Sequence, residues 1–97
     1  MHMERDLAPP KVWHYPDGSR VACTEKVKVL EENWSEARAM LQDILDDAVL
    51  MGCTVSEVKR EYMRLVANLE CAYKEHTPVK TEEEQKALAR EEYARQA

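Results

Sequence analysis

The side chains with the clearest potential for chemistry are carboxylates along one side of a long predicted helix. They are Glu32, Glu36, Asp43 and Asp47, with Asp46 beside them. Inward carboxylates in helical bundles can bind two metal ions, but such sites also use Glu-x-x-His motifs, and this sequence contains none. We therefore predict a solvated acidic face, with no catalytic residue, no metal and no cofactor. A small-molecule or metal-binding helical bundle is the alternative function.

Two of these acids break a local electrostatic rule. Asp46 and Asp47 lie near the C-terminal end of the predicted helix, where the helix macrodipole disfavours negative charge. A broken rule without compensation can mark a binding surface, although Lys59 and Arg60 across the next turn could neutralise the two acids. We predict a partner surface that combines acids with aromatic side chains: Trp13, Tyr15, Asp43, Asp46 and Asp47.

Cys53 is the candidate reactive thiol. It lies just before the predicted second helix, and a helix N-terminus lowers the pKa of a thiol. The sequence shows no histidine or resolving cysteine beside it, so packing of a small apolar side chain is the favoured interpretation. His2, His14 and His76 are scattered, and none has a second ligand at a metal-binding spacing.

Two predicted helices that face each other across Gly52 would position these groups. Apolar residues recur at alternating spacings of three and four, which is typical of a helix face and, at a seven-residue period, of a coiled-coil seam. The two series are Val27, Leu30, Trp34, Ala37, Leu41, Ile44, Ala48, Met51 and then Val55, Val58, Tyr62, Leu65, Leu69, Ala72. We predict an antiparallel hairpin of helices over residues 25–51 and 55–75, with a glycine at the first helix's C-terminus.

Tight closure of this hairpin sets a register between the two series. Ile44 would lie opposite Tyr62, and Trp34 would lie opposite Ala72. Large side chains repeatedly meet small or medium ones in this register, as close packing requires. The match supports the hairpin, because the spacing rule alone does not produce it.

The flanking segments are shorter and more polar. Residues 1–10 are predicted to be a flexible tail, and residues 11–23 a β-hairpin around the turn signal at 16–19. This β-hairpin and the two helices would form a single domain over residues 11–75. Residues 76–97 are predicted to be a polar C-terminal helical or disordered segment, in which a capping-box pattern at 81–84 begins the helix.

The apolar stripe is wider than one hairpin requires. Residues beside the seam extend it, and residues 48–51 are apolar around the whole last turn of the first helix. Small domains of this kind often oligomerise, so we predict that two hairpins associate as a homodimeric, antiparallel four-helix bundle. The predicted dimer interface consists of Trp34, Met40, Leu41, Leu45, Val66 and Tyr73.

Composition excludes several classes of protein. The 97 residues carry a net charge of −5 without a cluster of basic residues, which argues against a nucleic-acid partner. No segment approaches the roughly 20 apolar residues of a membrane span, and the first ten residues do not resemble a signal peptide. Three cysteines without a CxxC pair favour a reducing compartment, so we expect a cytoplasmic protein.

Three sequence runs carry a resemblance to a known group. Residues 23–26, 30–33 and 46–52 resemble segments of small, uncharacterised bacterial helical proteins of unknown function, and the similarity covers about residues 12–73. The resemblance implies a bacterial origin and no known activity.

The leading functional hypothesis is a cytoplasmic protein–protein interaction or regulatory module. It would homodimerise through its helical hairpins and bind another, unidentified protein, and it would not be an enzyme. Besides the small-molecule or metal-binding bundle, the remaining alternative is an acidic inhibitory protein that mimics nucleic acid. Binding to a basic partner that collapses with salt would identify that class.

Overall fold

The computed structural model of the protein describes residues 6–96, which are mainly helical, as predicted. The helices are α1 (Thr24–Leu50), α2 (Val55–Ala67) and α3 (Glu82–Gln96). The chain forms two compact units. Residues 35–74 make the hairpin unit, and residues 6–34 with 75–96 make the terminal unit, so α1 contributes to both. Most of the predicted flexible tail, residues 1–5, lies outside the described residues.

The end of α1 confirms the sequence prediction. Gly52 has a φ of +106°, a conformation that glycine adopts without a Cβ clash. Its N–H donates to the Val49 carbonyl at 3.0 Å, and the Cys53 N–H donates to the Ala48 carbonyl at 2.9 Å. This pair of bonds is the Schellman arrangement, which satisfies carbonyls that the helix end leaves without partners.

The start of α2 is also as predicted, but its end is not. Thr54 is the N-cap, and its Oγ1 accepts the Glu57 N–H at 3.2 Å. The prediction that this helix continues to residue 75 is wrong, because α2 ends at Ala67. Asn68 leaves helical geometry, and its side-chain Nδ2 donates to the Arg64 carbonyl at 2.8 Å. An asparagine that binds the backbone in this way competes with continuation of the helix.

The shorter α2 limits the predicted register. The half-buried or buried residues of the hairpin unit include Ile44, Ala48, Val58 and Tyr62, which are the expected inner residues. Ala72 lies beyond the end of α2, so the predicted helical layer that pairs it with Trp34 is wrong. Leu69 likewise lies beyond the end of α2.

The predicted β-hairpin over residues 11–23 is wrong as a pair of strands. The turn itself is present: Ser19 N–H donates to Asp17 Oδ1 at 2.9 Å, and Gly18 has a φ of +88°. A single antiparallel bridge joins His14 and Arg20, and no strand is assigned within residues 6–96.

The bridge stops for a physical reason. In the register of this bridge, Val21 N–H donates to the Trp13 carbonyl at 2.8 Å, and the next hydrogen-bonded pair would join Lys11 to Cys23. The Cys23 N–H donates instead to the carboxylate of Glu84 on α3, so the ladder cannot continue.

The polar C-terminal segment forms a helix. Thr81 Oγ1 accepts the Glu84 N–H at 3.1 Å, which caps the start of α3 where the sequence predicted it. Only Ala87 and Leu88 are half-buried among the apolar residues of α3, so apolar packing accounts for little of its attachment. None of the helices within residues 6–96 is long and apolar enough to cross a bilayer.

Candidate functional site

The terminal unit contains one completely buried carboxylate, that of Glu84, which is 0% exposed. Its Oε2 accepts hydrogen bonds from Tyr15 Oη at 2.6 Å, from the Ala22 N–H at 2.7 Å and from the Cys23 N–H at 3.2 Å. Cys23 directly precedes α1, and Glu84 is in the first turn of α3. The carboxylate therefore lies at the N-terminus of both helices, where their macrodipoles favour negative charge.

The electrostatics of this cluster keep the carboxylate charged. Burial by itself raises the pKa of Glu84, but the three hydrogen bonds and the nearby Lys26 ammonium outweigh burial and leave the pKa below its ordinary value. Burial and, to a smaller extent, the hydrogen bond to Glu84 raise the pKa of Tyr15. Lys26 Nζ donates to Tyr15 Oη at 3.0 Å, and this hydrogen bond raises the pKa of Lys26.

Two ion pairs attach further points of the same unit. Arg20 Nε lies 2.6 Å from Glu91 Oε2 on α3, and its hydrogen bond lowers the pKa of Glu91. Lys80 Nζ lies 3.4 Å from Asp17 Oδ2. The pKa of Asp17 is lowered chiefly by the hydrogen bonds from Ser19 in the turn, with Lys80 contributing less. Polar contacts of this kind hold α3 against the N-terminal segment.

The hydrogen-bond cluster around Glu84 has the properties of a structural link between α3 and the N-terminal segment. A tyrosine that acts as a base or nucleophile needs a lowered pKa, whereas the pKa of Tyr15 is raised and the residue is only 9% exposed. Among residues 6–96, two buried side-chain atoms, Trp13 Nε1 and Glu84 Oε1, have no hydrogen-bond partner. Within the described part of the chain, no group of three or more potential metal-ligating side chains comes together.

A shallow groove opens on the same unit. Its volume is about 420 Å³, and its walls are mostly apolar. It is lined by Tyr15, Val21, Glu25, Lys26, Val29 and Leu30. One acid and one base on the first turns of α1 give it no strong charge preference.

The hairpin unit leaves most of its apolar surface exposed. Val58 is the one buried residue among residues 35–74, all of which are described. Large apolar side chains that remain exposed in this unit are Met40, Leu41, Val49, Leu50, Met51, Val55, Met63, Leu65, Val66, Leu69 and Tyr73. Exposed large apolar side chains in this number make this unit the candidate interaction site.

Helix geometry sorts these side chains onto two sides of the hairpin. Successive residues of an α-helix are about 100° apart. In two antiparallel helices, the residues that follow the inner residues therefore share one side, and the residues that precede them share the other. We call these the apolar side and the acidic side. The apolar side consists of Arg38, Gln42, Leu45, Val49, Lys59, Met63 and Val66, and the acidic side of Glu36, Met40, Asp43, Asp47, Glu57, Glu61 and Arg64.

The two sides differ sharply in charge. The acidic side carries five acids and one base, and the base, Arg64, is paired with Glu61 at 3.2 Å. The apolar side carries two bases and no acid. Asp46 on α1 and Arg60 on α2 follow inner residues by two positions, so they are about 200° from the seam and point away from it on the outer backs of the helices.

Searches of protein-family models, curated proteins and solved structures found no match for this chain. The geometry of the two units therefore carries the functional argument.

The predicted partner surface is divided between the units. Asp43, Asp46 and Asp47 are exposed on the part of α1 that belongs to the hairpin unit. Trp13 and Tyr15 belong to the terminal unit, and the buried Tyr15 is bonded to Glu84 and Lys26. Tyr15 therefore offers little surface to a partner beyond the wall of the groove.

The acids near the end of α1 remain uncompensated. No basic residue occupies the last turn of α1. Gln42 Nε2 donates to Asp46 Oδ1 at 3.0 Å, but no ion pair within residues 6–96 joins Asp46 or Asp47 to a basic side chain. The neutralisation by Lys59 and Arg60 that the sequence allowed is therefore not formed.

The residues predicted for the dimer interface also separate. Leu45 and Val66 lie on the apolar side, Met40 lies on the acidic side, and Leu41 is at an inner position. Trp34 belongs to the terminal unit, where its ring packs edge-on against Trp13 with centroids 6.5 Å apart, and its Nε1 donates to the Leu7 carbonyl. Tyr73 is exposed beyond the end of α2. Cys53, the candidate reactive thiol, is exposed in the turn between α1 and α2.

The sequence pattern missed the role of Glu84. The capping box at residues 81–84 predicts that the glutamate carboxylate returns to the backbone of its own helix start. The carboxylate bonds instead to Ala22 and Cys23, about sixty positions away in sequence. The capping pattern marks Glu84 as special, but nothing local identifies its partners.

Proposed function

We propose that the protein is a small protein–protein interaction module that homodimerises through its helical hairpin. The observation that carries this proposal is the contrast between one buried residue and many exposed large apolar side chains in the hairpin unit. Burial of apolar surface is the main favourable term in protein association. The hairpin has this surface available on rigid helices.

A second copy is the partner that best suits a chain of this size. Two helices cannot enclose their own apolar faces, and small helical domains commonly complete a core by oligomerising. Two hairpins would together form a four-helix bundle in which each inner seam gains further apolar contacts. The hydrogen-bond cluster around Glu84 belongs to the terminal unit and would hold α3 in place independently of this association.

The exposed thiols are consistent with a reducing compartment. Cys23, Cys53 and Cys71 are all free, and two of them are exposed. Exposed free thiols persist in the cytoplasm, where glutathione and thioredoxin keep them reduced. We therefore propose that the module works in the cytoplasm.

Light scattering coupled to size exclusion tests the proposal. The monomer has a mass of 11.3 kDa, and we expect about twice this mass at tens of micromolar protein, decreasing on dilution. The melting temperature should rise with protein concentration, because association stabilises the folded state. A monomer at every concentration, with a constant melting temperature, would reject self-association.

A further inference from the structure

Helix α3 contacts the rest of the terminal unit through one narrow face. This contact face consists of Glu84, Ala87, Leu88 and Glu91, whose spacings of three, four and seven place them on one side of the helix. Its two glutamates accept hydrogen bonds from the N-terminal part of the chain, and the two apolar residues between them are half-buried. A core helix normally buries a continuous apolar stripe, so α3 is held more like a short recognition motif.

The segment that receives this face, residues 15–26, supplies the donors. In each hydrogen bond described above between this segment and α3, a carboxylate of α3 is the acceptor. Glu84 accepts three of these bonds, and Arg20 Nε donates to Glu91 at 2.6 Å. Lys26 Nζ lies 3.0 Å from Tyr15 Oη and adds a positive charge to the cluster. Residues 15–26 therefore form a site for two carboxylates about two helical turns apart.

The attachment of α3 within one chain is open to competition. Glu84 Oε1 is buried without a hydrogen-bond partner among residues 6–96, which costs free energy while α3 is docked. The side chains of Arg20 and Glu91 are 34% and 44% exposed, and ion pairs with such exposure contribute little. Residues 68–81, between α2 and α3, contain no helix or strand and span roughly 45 Å when extended. Helix α3 can therefore leave its site while α2 stays folded.

We propose that residues 15–26 form a carboxylate-binding site for the contact face of α3, and that two copies of the protein exchange α3 between these sites. In the exchanged pair, Glu84 of a second copy accepts the hydrogen bonds that the chain's own Glu84 accepts in this structure. A second copy is the occupant because it carries an identical contact face, complementary to the site in charge and spacing. Each copy gives one α3 and receives one, so the association closes as a two-fold dimer.

The exchange is separate from the proposed association of the hairpins. None of its contacts involves residues 35–74. The hairpins would associate by burying apolar side chains, whereas the exchange uses carboxylates and hydrogen-bond donors. The contacts are the same within one chain and between two, so the balance between them depends on the connecting segment and on protein concentration.

A peptide of residues 78–96 tests the site. The receptor is the isotopically labelled full chain with Glu84→Ala, whose site lacks its own carboxylate. We expect the amide NMR signals of Ala22 and Cys23 to move toward their wild-type positions as the peptide is added. The same peptide with Glu84→Gln is the matched control and should bind about tenfold more weakly. Equal shifts with both peptides, or no shift with either, would overturn the site.

A mixture of two full-length variants tests the exchange. Labelled Glu84→Ala supplies the empty site. Unlabelled Lys26→Glu supplies the contact face, because a second carboxylate in its own site repels Glu84. The Ala22 and Cys23 signals of the labelled chain should again move toward their wild-type positions. Unlabelled wild type is a second donor, with a smaller expected shift because its own site competes.

The control for this mixture is an unlabelled chain that carries both Lys26→Glu and Glu84→Ala. It lacks the carboxylate ligand and should leave the labelled signals in place. Equal movement with this control, or no movement with either donor, would overturn the exchange.

Light scattering separates the exchange from the proposed self-association. Copies of Glu84→Ala cannot exchange a complete contact face but keep every residue of the hairpin unit. A dimer that persists in this variant therefore belongs to the hairpins, whereas a wild-type dimer that is lost in it belongs to the exchange and rejects the hairpin association. Unchanged amide signals in the mixture reject the exchange alone.

Discussion

Replacement of Glu84 by alanine removes the acceptor that joins the start of α3 to the start of α1. Three donors then lose their partner: Tyr15 Oη and the N–H groups of Ala22 and Cys23, now at 2.6, 2.7 and 3.2 Å. An unsatisfied buried donor costs about 1–3 kcal/mol. Ala22 and Cys23 are only half-buried, so the lower end of this range applies to them.

The expected loss is about 3 kcal/mol, at roughly 1 kcal/mol for each donor. Such a change shifts the equilibrium for opening of α3 by roughly two orders of magnitude. The remaining attachments of α3 are weak: two of its apolar residues are half-buried, and its ion pair between Glu91 and Arg20 is partly exposed, where such pairs contribute about 0–1 kcal/mol. We therefore expect α3 to detach from the terminal unit while the hairpin unit keeps its helices.

Hydrogen exchange measured by mass spectrometry reports this opening directly. Amides of residues 85–96 should exchange about a hundredfold faster in Glu84→Ala. Amides of the hairpin unit should exchange as in the wild type.

Glu83→Ala is the matched control. It removes the neighbouring acid from the same helix turn but breaks only a 3.3 Å contact with the exposed Thr24 hydroxyl. Its effect should be below about 0.5 kcal/mol. Equal exchange of α3 in the two variants would refute the interpretation of Glu84 as the anchor.

Three further predictions concern pH, the aromatic pair and the turn. Because the pKa of Glu84 is lowered below its ordinary 4.5, its stabilisation of α3 should be complete above that value and be lost as the pH falls through the lower folded-state pKa. Hydrogen exchange during acid titration of the wild type and of Glu84→Gln checks this. An equal response of the two proteins to pH would contradict it. Trp34→Phe keeps a ring against Trp13 but loses the 2.9 Å bond to the Leu7 carbonyl, so denaturant unfolding should show a loss of about 1 kcal/mol; no measurable change would mean that solvent replaces this bond. Gly52→Ala should destabilise the hairpin by about 1–2 kcal/mol through the φ of +106° alone, since no atom lies within 4 Å of the added Cβ. Thermal unfolding measures this loss. A melting temperature equal to that of the wild type would show that the turn relaxes without cost.

Local sequence signals predicted the helix termini and the turns well. Gly52 ends α1, Thr54 caps α2 and Thr81 caps α3, and in each case the deciding atoms lie within a few residues of one another. The turn at residues 16–19 also follows from its own side chains, since Asp17 bonds to Ser19. Such features need no knowledge of the rest of the chain.

Features that depend on competing hydrogen bonds, or on contacts between residues far apart in the sequence, were not predictable in this way. The apolar periodicity continues past Ala67, yet α2 ends at Asn68, where both the backbone N–H and the side-chain Nδ2 of Asn68 donate to the Arg64 carbonyl. Strand pairing around the turn stops because the Cys23 N–H is donated to a carboxylate 61 positions away. Periodicity counts apolar residues and does not register which polar group binds a given backbone atom.

The sequence by itself determined the helical class, the turn at Gly52 and the excess of apolar residues beside the seam, because helix periodicity and capping act over one or two turns. Only the tertiary structure decided that Glu84 is buried and that Tyr15 points into its carboxylate, because those contacts join segments more than sixty residues apart. The division of the hairpin into an apolar and an acidic side combines both sources. The sequence orders the residues around each helix, and the folded hairpin decides which residues face inward.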